Sequence, residues 1–259
     1  MPKALSAHNR HTRNSQPIPI LVYHQIDEAP PKGKPFRSLY VSPAAFERQM
    51  RLLNWLGYSG LSMGQLLPYL RGESVGKVVG ITFDDGYANN LTHALPILAR
   101  HSFSSTCYAV SALAGKTNAW DEAGGIVQTP LMTGLQMRQW VAAGQEIGSH
   151  TRSHIDLQRA DDALCRQEMA LGKTELQDTL GLEPSAGIGH FCYPYGRYES
   201  RHVEMAEALG FTTATTTQRS RCLAGTPLLE LPRVPVLRST SLPVFWLKLA
   251  TAYEDRRSA

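Results

Sequence analysis

Short apolar runs that read as buried strands alternate with helical patterns along almost the whole chain, and this alternation restricts the fold more than any other feature. Ile18–Tyr23 (IPILVY), Lys77–Phe83 (KVVGITF), Ser105–Val110, Glu146–Ser149, His190–Tyr193 and Phe211–Thr215 are such runs, and Arg233–Leu237 is a further candidate. Between them, helices are expected from Ser42-Pro43 to Leu56, over Met63–Leu70, over Asn89–Arg100 with a kink at Pro96, and over Leu135–Ala143. More follow over Asp161–Leu180, Glu199–Leu209 and Pro243–Tyr253. Ser42 and Pro43 are a good N-cap and first helical residue, and Gly57, Gly144, Gly181 and Gly210 are natural stops. Strands separated by helices imply a parallel sheet with helices outside it. About seven such units suggest closure into a barrel, so the expectation is α/β, a single distorted (β/α) barrel with its site at the C-terminal rim. No internal repeat or linker interrupts residues 17–259, which read as one domain after a polar tail, 1–16, expected to be disordered.

Charge adds little to this. Lys and Arg number 26 against 22 Asp and Glu, a net charge of +4. Lys3, Arg10, Arg13, Arg256 and Arg257 lie at the ends, so the body is near neutral and lacks the basic stripe of a nucleic-acid binder. Cys107, Cys165, Cys192 and Cys222 have no zinc-ribbon spacing, and so few cysteines in a chain this long read as reduced, buried thiols. No apolar segment has the length of a signal-peptide core or a membrane span, which makes the cytoplasm the simplest expected location.

Four strand ends carry the chemistry. Thr82-Phe83-Asp84-Asp85-Gly86 puts two adjacent carboxylates after a buried strand, where they are costly unless a cation offsets them. Asp-Gly is also a common turn pair, so position rather than composition favours a site. Ser149-His150-Thr151-Arg152-Ser153-His154 follows the next-but-one strand, and its two histidines would project to one side if the segment turned helically. Two imidazoles and one carboxylate suit zinc or a similar divalent ion and leave coordination positions open, as catalytic sites do. Phe191-Cys192-Tyr193-Pro194-Tyr195-Gly196 forms a tight turn that could aim the Tyr195 amide at a substrate oxygen, or merely line the barrel mouth. Tyr23-His24-Gln25-Ile26 ends the first strand, where His24 could donate a proton near neutral pH. Two long connections, 24–41 and 111–133, would leave the same rim.

TFDDG, SHTxxH and YPYG in this order resemble the polysaccharide deacetylases of carbohydrate esterase family 4, the NodB-homology domain, over roughly Ile20 to Val236. Tyr23-His24-Gln25-Ile26 and the late Leu231-Pro232-Arg233-Val234-Pro235-Val236 look like its circularly permuted branch, which acts on poly-β-1,6-N-acetylglucosamine and related exopolysaccharides. That branch takes its acid histidine from the early motif, and the last histidine here is indeed His202.

The resemblance implies that Asp85, His150 and His154 hold a divalent metal, zinc first and cobalt, nickel or iron as alternatives. It implies that Asp84 is the general base, that the Tyr195 amide stabilises the oxyanion, and that His24 protonates the leaving amine. The main family has an arginine where this chain has Cys192, and that arginine pairs with the base. Arg233 is the candidate substitute. Tyr87, Trp120 and Tyr193 are candidate sugar contacts, with Trp140 and Tyr198 as weaker ones, although aromatics in a barrel are more often packing.

The function expected is a metal-dependent hydrolase removing N-acetyl groups from an N-acetylhexosamine in a bacterial surface polysaccharide or its precursor. The alternatives are a deformylase or other N-acyl amidohydrolase on a lipid- or nucleotide-linked sugar, and an inactive carbohydrate-binding module. No nucleic-acid partner is expected, and the oligomeric state is not legible.

Overall fold

The apolar runs pair side by side until the last meets the first. A computed structural model describes residues 16–183 and 187–257. All but one residue of the expected tail, 1–15, therefore lie outside the described part. The strands are β1 (Ile20–Tyr23), β2 (Gln25–Ile26), β3 (Tyr40–Val41), β4 (Ser59–Leu61), β5 (Val78–Phe83), β6 (Thr106–Ala109), β7 (Glu146–Ser149), β8 (His190–Cys192), β9 (Thr213–Arg219) and β10 (Leu231–Pro235). The helices are α1 (Pro43–Trp55), α2 (Met63–Leu70), α3 (Leu95–Arg100), α4 (Gly134–Ala142), α5 (Asp162–Leu180), α6 (Ser200–Ala208) and α7 (Leu242–Ala250). β1 pairs with both β5 and β10, and β5 to β10 pair in sequence, which closes a barrel of seven parallel strands.

The expected α/β barrel is thus the observed one, with three additions. β4 pairs with the first half of β5, on the side where β6 pairs with the second half. β2 and β3 form a two-residue ladder. Segments this short carry no readable periodicity. Asn89–Arg100 is also not one α-helix with a kink: Asn90–Ala94 is π-helical and only Leu95–Arg100 is α.

Strand periodicity positions the site. Successive side chains point to opposite faces, so i and i+2 share a face. On β5, Val79, Ile81 and Phe83 belong to the main core under the helices, whereas Val78 belongs to a second cluster with Ile20, Tyr108, Cys192 and Leu231. That second cluster is the barrel interior. Met63 and Leu66 of α2 join it and plug its lower end. Their backbone is held there as Met63 N–H donates to Thr106 Oγ1 (2.8 Å) and Gly64 N–H to the Glu146 carboxylate (3.2 Å). Continuing each inward row upward by two residues reaches Asp84 from Thr82, His150 from Gly148, Cys192 from His190 and Arg233 from Leu231. Gly148 leaves room for the Tyr108 ring, since a Cβ there would come within 2.5 Å of it.

The four cysteines are free thiols, all buried, as expected. No helix among the described residues is long and apolar enough to cross a membrane.

Candidate active site and metal centre

The two adjacent carboxylates go separate ways. Asp84, the last of its inward row, is 4 % exposed and receives two parallel bonds from Arg233, Nη1 to Oδ1 and Nη2 to Oδ2, each 2.7 Å. Arg233 is 1 % exposed and has its remaining contacts inside the barrel: Nε donates to Thr216 O (2.9 Å), Nη1 also to Thr82 Oγ1 (3.1 Å), and Nη2 lies 3.2 Å from Cys192 Sγ. Burial alone would lift the Asp84 carboxyl, but the charge and hydrogen bonds of Arg233 outweigh it and hold the group below the usual carboxylate value. Arg233, read from sequence as the substitute for the missing arginine, is brought to that place.

Asp85 turns the other way because the chain does. Its φ is +75° and that of Gly86 is +80°, so two consecutive residues are left-handed. Asp85 Oδ1 then lies 3.5 Å from His150 Nε2 and 3.4 Å from His154 Nε2. All three side chains are buried. Burial would raise the Asp85 carboxyl, yet the two imidazoles bring it well below its ordinary value.

His150 Nδ1 bonds to the Cys192 carbonyl at 2.8 Å, which leaves Nε2 as the atom aimed at Asp85. Fixing one ring nitrogen on a carbonyl is how metal-binding imidazoles are commonly oriented. Burial would lower the His150 pKa, but the Cys192 side chain and the Asp85 carboxylate raise it well above the usual histidine value. His154 is lowered, by burial first and by His150 next. Two nitrogens and one carboxylate oxygen lie within 4.8 Å of one another, a donor set that fits a divalent ion of the zinc type.

The histidine segment is not helical, contrary to the i, i+4 expectation. Its side chains converge because Thr151 and His154 both have φ of +61°. With Asp85 and Tyr195 (+58°), they make four of the six described non-glycine residues with positive φ, so backbone strain is concentrated at this site. Two residues of α5 hold it. The buried Glu168 carboxylate accepts from Arg152 N (3.1 Å), Ser153 N (2.8 Å) and Ser153 Oγ (2.8 Å). Gly172 lets the helix reach the loop, because a Cβ there would sit 2.7 Å from the Thr151 carbonyl carbon. Sequence reasoning missed both. The readable signal was a glutamate and a glycine on the buried stripe of α5 with Cys165, Met169 and Leu176.

His154 differs from His150 in having a buried Nδ1 with no hydrogen-bond partner among the described residues. Rings hold it instead: Trp120 stacks on it at 4.4 Å and 22°, and Tyr195 meets it edge-on at 4.6 Å. The Tyr195 hydroxyl donates to Asp121 Oδ1 at 3.3 Å.

Above these groups opens a cavity of about 1040 Å³, lined from the first long connection by His24, Gln25, Phe36 and Tyr40. The second connection contributes Asn118, Trp120, Asp121 and Ile126. Both loops thus leave the C-terminal rim, as expected. His24 is half-buried on the wall, and its strand extension is clamped by Asn90, which donates to His24 O (2.8 Å) and accepts from Ile26 N (3.2 Å). The fully buried Asn90 was another residue the sequence reading passed over.

Of the sugar-contact candidates, Tyr87 is buried on the wall, and burial followed by the Asp85 carboxylate raises its phenol. Trp120 is on the wall but spends one face on His154. Tyr193 borders the cavity with no exposed surface, its hydroxyl donating to Leu229 O and its ring stacked on Tyr198. Trp140 lies wholly in the core, edge-on to Phe83, and is no cavity residue.

A family model described as "Polysaccharide deacetylase" matches residues 71–214. YxkH of Bacillus subtilis (strain 168) is 28% identical over 87% of this chain and 73% of its own length. The poly-beta-1,6-N-acetyl-D-glucosamine N-deacetylase of Escherichia coli (strain K12) is 25% identical over 84% of this chain, which spans only 37% of that protein. Among solved structures, the deacetylase PplD of Streptococcus pyogenes, in complex with acetate, superposes with a TM-score of 0.78 at 27% identity. That match covers 91% of this chain and 99% of PplD.

Proposed function

The chain belongs to the polysaccharide deacetylase family, and from that premise we propose that it is a metal-dependent hydrolase removing N-acetyl groups from N-acetylhexosamine residues of a bacterial surface polysaccharide or its precursor. The observation that carries this reading is the division of labour between neighbours: Asp84 bound by Arg233, Asp85 turned to two histidines.

Amide hydrolysis demands such a division. The carbonyl is a poor electrophile and the amine a poor leaving group. A divalent ion held by Asp85, His150 and His154 would supply Lewis acidity toward the amide carbonyl and the attacking water. Asp84, kept ionised and oriented by Arg233, takes the proton as the water oxygen bonds to the carbonyl carbon. The Tyr195 amide donates to the carbonyl oxygen as that atom gains charge. The carbon–nitrogen bond then breaks, and His24 gives a proton to the departing amine. The products are acetate and a free amino sugar.

An acetate-release screen tests the reading across free, nucleotide-linked, lipid-linked and polymeric N-acetyl sugars. Acetate from at least one class is expected. Formate from an N-formyl sugar with no acetate from any N-acetyl sugar would replace it with a deformylase, and release of neither by metal-loaded protein would overturn it.

A further inference from the structure

A polar relay beside the cavity has no place in the mechanism above. Asn89 is 8 % exposed and directs its Nδ2 at two acceptors, Gln25 Oε1 at 3.0 Å and Asp27 Oδ2 at 3.3 Å. Amide oxygen and nitrogen are distinguished by their partners, and here the partner decides. Asp27 offers only acceptors, so Asn89 must turn its NH₂ toward it. Asp27 is itself anchored: its N–H donates to Val41 O (3.0 Å) and its Oδ1 accepts from Glu28 N (2.8 Å). Asn89 Oδ1 has no hydrogen-bond partner among the described residues, so no competing bond favours the reverse orientation.

The direction passes to Gln25. With the Asn89 NH₂ fixed, Gln25 must present its oxygen to it, which turns its own Nε2 away. Gln25 is 3 % exposed and lines the cavity next to His24. Its Nε2 has no hydrogen-bond acceptor among the described residues. Nε2 is not among the side-chain atoms sealed from solvent without a partner, so this donor is open to the cavity and available to a ligand oxygen. Gln25 and His24 both line this one cavity, so a sugar seated there with its nitrogen at His24 also comes within reach of the Gln25 donor.

We propose that Gln25 is a substrate-recognition residue donating its Nε2–H to a hydroxyl or glycosidic oxygen flanking the N-acylated carbon of a hexosamine, and that Asn89 and Asp27 are positioning residues that set the direction of this bond. The proposal rests on the deacetylase reading.

Reversing the relay tests it. In the exchange Asp27→Asn with Asn89→Asp, composition and charge are unchanged. The carboxylate at 89 accepts from both neighbours, so Gln25 turns its oxygen to the cavity. Gln25→Glu reaches the same end by a single change. Binding of N-acetylglucosamine oligomers is measured by calorimetry in an Asp84→Asn background, and KM and kcat for acetate release are measured with Asp84 intact. Both variants are expected to bind about tenfold or more weakly and to raise KM by a like factor, with kcat, metal content and unfolding midpoint near those of the parent. Should the exchange not fold, Gln25→Glu decides alone. Parental affinity and KM in the variants overturn the proposal while the deacetylase reading stands. A parent that neither binds nor deacetylates any N-acetyl sugar overturns both.

Discussion

Arg233 and Asp84, 149 positions apart in sequence, meet through two parallel bonds of 2.7 Å inside the rim of the barrel. Such a pair is expensive to break from one side, because the surviving charge stays buried. Arg233→Ala is expected to destabilise the protein by about 3–5 kcal/mol in urea unfolding and to cost most of the activity. Cys192 Sγ lies 3.7 Å from Asp84 Oδ2. Adding Cys192→Arg to Arg233→Ala brings a guanidinium back to that carboxylate from β8, two strands away from β10, and part of both losses should return.

Gly172 predicts a metal defect at a residue that touches no metal-binding side chain. A methyl group there would meet the Thr151 backbone and push α5 off the loop carrying His150 and His154. Gly172→Ala should weaken binding of a divalent ion about tenfold or more in a competition titration against a chelator. Unchanged affinity would mean that the loop keeps its shape without α5.

A pH effect is expected at the opposite end of the barrel. Burial lowers the His190 pKa from its ordinary value of 6.5, only partly offset by the Glu146 carboxylate. Its Nδ1 bonds to Thr213 Oγ1 at 2.8 Å, beside the Glu146 carboxylate that caps α2. A folded-state pKa below the unfolded one means that the unfolded chain takes up the proton first. Stability is therefore full above about pH 6.5 and falls as pH drops through the lowered value. Urea unfolding between about pH 7 and pH 5 should show this slope, and His190→Gln should reduce it.

How much of this was legible depends on range. The strands declared themselves because the buried runs are continuous and most end on a polar residue, as KVVGITF ends on Asp84. Period two then places Asp84, His150, Cys192 and Arg233 on inward rows of one closed sheet, and closure brings them together. The convergence of His150 and His154 was expected from a helical turn and arises from left-handed residues, which side-chain patterning does not encode. Glu168, Gly172, Asn89 and Asn90 were passed over because their partners lie in other segments. Trp120 was read as a sugar platform because its loop is long, yet one of its faces covers His154.

The division between the two carboxylates is tested most directly by measuring bound metal and released acetate on the same preparations of wild type, Asp84→Asn and His150→Ala. Wild type should carry about one divalent ion per chain and release acetate. Asp84→Asn should keep the ion and release none, and His150→Ala should lose the ion. An Asp84→Asn protein that releases acetate at the wild-type rate would contradict the account.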